Sequence, residues 1–166
     1  MFQIFGTASL DSPWYWALCI LVWAHVCNRT LGVPHDMVLR AGRLPEVADR
    51  VDALAMIHAE RIGAIHDRAG VLAAATVGFA VAAVGVIGFV GDIEIAKAVF
   101  LLIFPLAVVG YSTLRLALGV RTRQSSGMML RRSLRRRRIW HTAVAIAALM
   151  ITASLAVMEH PSLVLR

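Results

Sequence analysis

AGVLAAATVGFAVAAVGVIGFVG, residues 69–91, decides the class of this protein. From Ala69 to Val90 no side chain carries a charge. As a helix rising 1.5 Å per residue this stretch is about 33 Å long, and about 20 such residues cross the ~30 Å hydrocarbon of a bilayer. A second uncharged stretch, Ala98 to Leu114, follows after a short link. Hydrophobic residues make up 59% of the chain and charged residues 16%, against roughly 45–50% and about 25% in soluble domains. The apolar excess is therefore gathered in blocks, which points to an integral membrane protein.

Working outward, the link GDIEIAK (91–97) leaves room only for an antiparallel hairpin between a second span, 69–91, and a third, roughly 98–118. Pro105 should kink the third span, and Tyr111, Ser112 and Thr113 form a polar patch near its end. A basic loop, 119–138, precedes a fourth span at about 139–158. On the other side of residue 69, Pro45 with Glu46 behind it makes a good helix start. Val47, Val51, Leu54, Ile62 and Ile65 then recur at helical spacing, interrupted by His58, and Glu46 can pair with Arg50. The pattern predicts an amphipathic helix over 45–68 that runs unbroken into the second span, one long helix from about Pro45 to about Val90. Its apolar stripe lies outside the bilayer. It must pack on the Arg121–Arg138 segment, lie on the membrane surface, or meet a partner.

LGVPHDMVLRAGRLP (31–45) reads as a break punctuated by glycine and proline. Before it, Trp14 to Val33 is a first span whose clean part ends at Cys27. It crosses only if His25, Asn28 and Arg29 occupy the inner interface, with Trp14, Tyr15 and Trp16 as an aromatic belt at the other end. The extreme N-terminus has neither a basic region nor a small-residue cleavage site, so no removable signal peptide is expected. Cys19 and Cys27 lie about 12 Å apart along a helix, too far for a disulfide.

Fifteen of the seventeen Lys and Arg residues fall in two segments, Arg29–Arg68 and Arg115–Arg138. With four spans both segments lie on one side, and the positive-inside rule makes that side the cytoplasm and puts both termini in the periplasm. Arg121, Arg123, Arg131, Arg132, Arg135, Arg136, Arg137 and Arg138 occur without an intervening acid. They are expected to set orientation and contact anionic phospholipids. Nucleic acid is a poor fit, because the run has no interleaved aromatics and no separate basic domain. The expectation is thus an all-α bundle of four transmembrane helices in a single membrane domain, with a cytoplasmic amphipathic extension of the second helix.

Chemistry is sparse. No phosphate loop, dinucleotide fingerprint, HExxH or CxxC occurs, and no carboxylate lies inside a span. No enzyme activity, metal or cofactor is expected. His25 and His141 could serve as axial haem ligands, but their different depths favour two packing histidines. His58 and His66, eight apart, lack further metal ligands. Cys19, Trp23 and Cys27 form a stripe expected to be a packing face. Small residues at Ala74, Gly78, Ala82 and Gly85, and at Ala148, Thr152 and Ala156, should let helices approach closely in lipid.

The Trp/Tyr-rich first helix, LGVPHDMVLRA (31–41), and KAVFLLIFPLAVVG with TLR (97–115) resemble a family of small alphaproteobacterial membrane proteins named as a component of the SufBCD complex. The resemblance covers residues 14–118 and implies docking near iron–sulfur cluster assembly at the cytoplasmic face. It supplies no catalytic residues, and two cysteines cannot ligate a cluster that wants four. The expected function is a non-catalytic accessory or scaffold subunit of the bacterial inner membrane, docking on other membrane subunits. Its contact residues would be His35, Asp36, Val47, Val51, Leu54, Ile62 and Ile65. The alternatives are a haem-binding redox subunit and a small oligomeric transporter.

Overall fold

A computed structural model describes residues 12–123 and 126–159. The fold is all-α, and 89% of the described residues are helical. Its elements run α1 (Pro13–Asn28), β1 (Arg29–Thr30), β2 (Val33–Pro34), α2 (His35–Arg40), α3 (Pro45–Phe89), α4 (Glu94–Arg123) and α5 (Gly127–Glu159). Among the described residues, three helices, α3, α4 and α5, are long and apolar enough to cross a membrane. The expected N-terminal signal reading, and Arg166, lie outside the described residues.

α1 starts with Pro13 in its first turn and stops at Asn28. The span expected to continue to Val33 is therefore shorter: its 16 residues reach about 24 Å. The chain instead reverses in a miniature antiparallel ladder that pairs Arg29 with Pro34 and Thr30 with Val33. Both turn residues have positive φ, Leu31 at 53° and Gly32 at 72°, as tight hairpin turns with right-handed strand twist require. Leu31 holds this unfavourable conformation because its side chain is buried. Gly32 is needed for a second reason: a Cβ there would sit 2.6 Å from the His58 ring.

α3 is the long helix the sequence predicts, with one irregularity. Ala69 has φ −140° and ψ 15°, a bend at the junction between the charged and apolar halves. Beside it the His66 ring occupies the space a Cβ on Gly70 would take. α4 folds back along α3. Near the link, the Gly88 face lies against the Lys97 backbone (2.8 Å from the position of a Cβ) and Gly85 against Phe100. Lys97 Nζ also bridges to Asp92 Oδ1 at 2.6 Å, holding that carboxyl below its usual ionisation range. At the far end Gly63 lies under Arg121, which pairs with Asp67 at 2.6 Å. α4 continues as a helix through Pro105. Residues 119–123 and 127–138, expected as a basic loop, are helical, because Leu130 and Leu134 on α5 and Val120 on α4 are drawn into a shared core.

That core gathers Leu31, Val33, Val51, Ala55, Ala59 and Ala117 with those residues. It joins the hairpin, α2, the first half of α3 and the adjoining ends of α4 and α5. A second cluster packs Cys19 and Trp23 of α1 against Val109, Ala145 and Ala148. Cys19 and Cys27 are free thiols. A third joins Ala98 and Ala156 beside Tyr15, whose hydroxyl donates to the Ala98 carbonyl at 3.0 Å.

Candidate functional site

The core settles the fate of the Val47–Ile65 stripe. Val51 is wholly buried, and Val47, Leu54 and Ile62 pack against the same cluster. The cluster joins α4, α5 and the hairpin, so Val51 is closed to a partner, while Val47, Leu54 and Ile62 are half-buried and spend part of their apolar area on this core. Ile65 alone of the set stays 57% exposed. His35 and Asp36 open α2. The Asp36 carboxylate stands 4.0 Å from Arg40, and His35 lies near Arg135 and Arg138.

The arginines divide by helix face. Arg138 Nε donates to the Cys27 carbonyl at 3.3 Å, satisfying an open carbonyl at the end of α1. Arg137 donates to Ser112 Oγ at 2.6 Å. Arg131 donates to the carbonyls of Gly127 and Ala41. With Arg121 on Asp67, these four are structural ties and not only an orientation signal. Arg132, Arg135 and Arg136 are exposed and form no ion pair among the described residues. The Arg123 side chain lies outside the described residues.

The two small-residue stripes also part ways. Ala148, Thr152 and Ala156 are buried, in the manner expected of a packing face. Ala74, Gly78 and Ala82 are exposed, and a Cβ on Gly78 would meet nothing within 4 Å. The close approach of α3 to α4 falls instead at Gly85 and Gly88, nearer the link. Between that contact and the Gly63–Arg121 contact, α3 and α4 bound an apolar groove of about 560 Å³. Ala74, Val77 and Gly78 line it from α3, and Ala107, Gly110 and Tyr111 from α4.

On the other side of Gly110 lies a chamber of about 490 Å³. His25 in the last turn of α1 and Arg29 at the start of β1 line it together with His141 of α5 and Thr113 of α4. The structure thus brings together the two histidines that the sequence placed at different depths. Among the described residues no carboxylate lines the chamber. His141 is 1% exposed, and neither of its ring nitrogens has a hydrogen-bond partner. A buried polar group in that condition costs about 1–3 kcal/mol relative to a bonded one. Ile62, Gly110 and Leu114 line both the chamber and the groove. Among the described residues no group of three His, Cys, Asp or Glu side chains is placed to hold a metal ion. His58 and His66 sit against Gly32 and Gly70.

One anchor gave no sequence signal. Asp52 Oδ2 accepts the Gly127 N–H at 2.6 Å, so α3 supplies from a distance the acceptor that the first turn of α5 needs.

No family model, no curated protein and no solved structure matches this chain.

Proposed function

We propose that the chain is a multi-pass protein of the bacterial cytoplasmic membrane, a non-catalytic adaptor that presents a basic helical head to an acidic partner at the cytoplasmic face. The membrane placement is supported by an inverted exterior. None of the most apolar window of α3 is buried within the molecule, and Val71, Phe79 and Val90 are more than three-quarters exposed. Such a surface needs lipid around it. α1 counts as the fourth span, extended by exposed Trp14 at one end and by Arg29 at the other. Four spans put the hairpin, α2, the first half of α3 and the arginine run on the cytoplasmic side and both termini in the periplasm.

The observation that carries the adaptor reading is the outer face of α5. Arg132, Arg135 and Arg136 point away from the core while their neighbours are bonded inward. Exposed Ile57 and Leu44 on the same head add apolar contact area. Gentle extraction followed by native mass spectrometry tests it. A larger assembly should co-purify with the wild type and be lost from an R132Q/R135Q/R136Q variant that still inserts correctly. A chain that purifies alone sinks the reading. The resemblance noted above would make that assembly one connected with iron–sulfur cluster assembly.

A second reading is favoured by the shared chamber: a redox subunit holding a haem between His25 and His141. Protein purified with its cofactor would then show a visible haem absorption band, and colourless, well-folded protein would dismiss it.

A further inference from the structure

Chamber and groove are adjoining spaces of opposite character. The chamber offers one cation, Arg29, and the exposed ring of His25, with His141 buried in its wall and no acid among the described lining residues. That donor set calls for a compact anionic group rich in acceptor oxygens, and phosphate is the group that arginine and histidine N–H donors match best. The groove offers almost only carbon. It follows α3 from Ile62 to Gly78, about 24 Å of helix, and suits a single extended alkyl chain. Gly110 lines both spaces, and a Cβ there would meet nothing within 4 Å, so no side chain at that position bars passage over α4.

We infer that the chain binds one anionic phospholipid as a specific ligand, with its phosphate on His25 and Arg29 and one acyl chain in the groove between α3 and α4. The inference rests on the membrane placement proposed above but not on the adaptor reading. It differs from the general attraction of a basic face to anionic lipid, because it uses none of the outward arginines. The lipid ties the end of α1 and the start of β1, which hold the phosphate, to the hairpin of α3 and α4, which holds the chain. The small stripe at Ala74 and Gly78 then has its own purpose: it makes room for a hydrocarbon chain where larger residues would close the groove.

The test is native mass spectrometry of the full-length protein from its own membranes and after reconstitution in vesicles of phosphatidylglycerol and phosphatidylcholine. The wild type should keep one phospholipid through activation that strips loosely held lipid, with phosphatidylglycerol preferred in the vesicles. Gly110→Leu closes the passage and Gly78→Leu fills only the groove, both in open space, so the fold should stand and retention should fall at least tenfold in each. R132Q/R136Q should retain lipid as the wild type does. Retention unchanged by either glycine variant overturns the inference, as does a retained haem or quinone mass. Inorganic phosphate binding to delipidated protein, equal in wild type and both glycine variants and without lipid retention, would make free phosphate the ligand and also overturn it. Carbonate extraction separates the failures. Protein released without detergent overturns the membrane placement as well, whereas pelleted protein that holds no lipid overturns this inference alone.

Discussion

The two halves of α3 behave in opposite ways. Residues 45–68 carry charges of both signs, yet they bury Val51, Ala55 and Ala59 completely. Residues 69–89 carry none, yet their most apolar window buries nothing. In water the ranking would be reversed, because burial follows the apolar area withdrawn from solvent. The inversion teaches that one helix serves two solvents. The first half folds by the hydrophobic effect against neighbouring helices, and the second needs no protein cover because lipid supplies it. The bend at Ala69 falls where one regime gives way to the other.

The comparison breaks first at Val51. An aspartate there would place an unpaired charge at a position with 0% exposure, costing more than about 3 kcal/mol. The head should unfold, seen as rapid proteolysis between residues 31 and 68, while α4 and α5 remain in the membrane. Survival of a protease-resistant head would show that its core is dispensable.

A matched pair sharpens the contrast. Ala55→Leu overfills a closed core and should cost about 1–3 kcal/mol, read as a lower thermal midpoint in mild detergent. Ala75→Leu, on an exposed face that does not line the groove, should change that midpoint hardly at all. Equal losses would mean that the apolar half packs on protein after all.

How much of this the sequence showed depends on the kind of information each feature needs. The long α3 was legible because its signals are local: Pro45 and Glu46 at the start, periodicity, and a charge-free block. The end of α1 was not. Gly32 and Pro34 announce a break, but nothing in the sequence says that Leu31 joins Gly32 at positive φ, a conformation stabilised by distant packing of its side chain. The stripes Ala74–Gly78–Ala82 and Ala148–Thr152–Ala156 look alike as spacing. Spacing makes a smooth face and does not choose what meets it, so one is buried and the other is exposed, with Ala74 and Gly78 lining a groove. His25 and His141 share a chamber for a similar reason, since depth along separate helices leaves their lateral arrangement open. Asp52 was invisible as a cap because its partner, Gly127, lies 75 residues away.

The hairpin offers a milder intervention in the same head. Gly32→Ala forces a Cβ into the His58 ring and keeps a non-glycine residue at φ 72°, costing about 2 kcal/mol. Pairing it with His58→Ala removes the clash but not the backbone strain. The double variant should therefore recover part of the lost midpoint, and full recovery would show that the strain term is negligible.

The smallest effect concerns α2 and comes from pH. Burial, and then the Arg138 and Arg135 guanidiniums, push the His35 ionisation below its ordinary value of 6.5, with the Asp36 carboxylate opposing them. The folded chain therefore resists a proton that the unfolded chain accepts. Where the two differ the unfolded state binds more protons, so stability rises with pH through that window. The contribution is fully present above about 6.5 and is lost as pH falls through the lowered folded value. Because His35 is only partly buried, the change should be a loosening of α2 against α5 and not unfolding of the head. Hydrogen exchange at the Ala41 amide, which is bonded to the Met37 carbonyl at 2.9 Å, reports that loosening directly. Once exchange is corrected for its intrinsic pH dependence, protection should be lower at pH 5.5 than at 7.5. His35→Asn should abolish the difference, since asparagine cannot take up the proton. Protection that fell equally in the variant would assign the pH response to another group and free α2 from any role for His35.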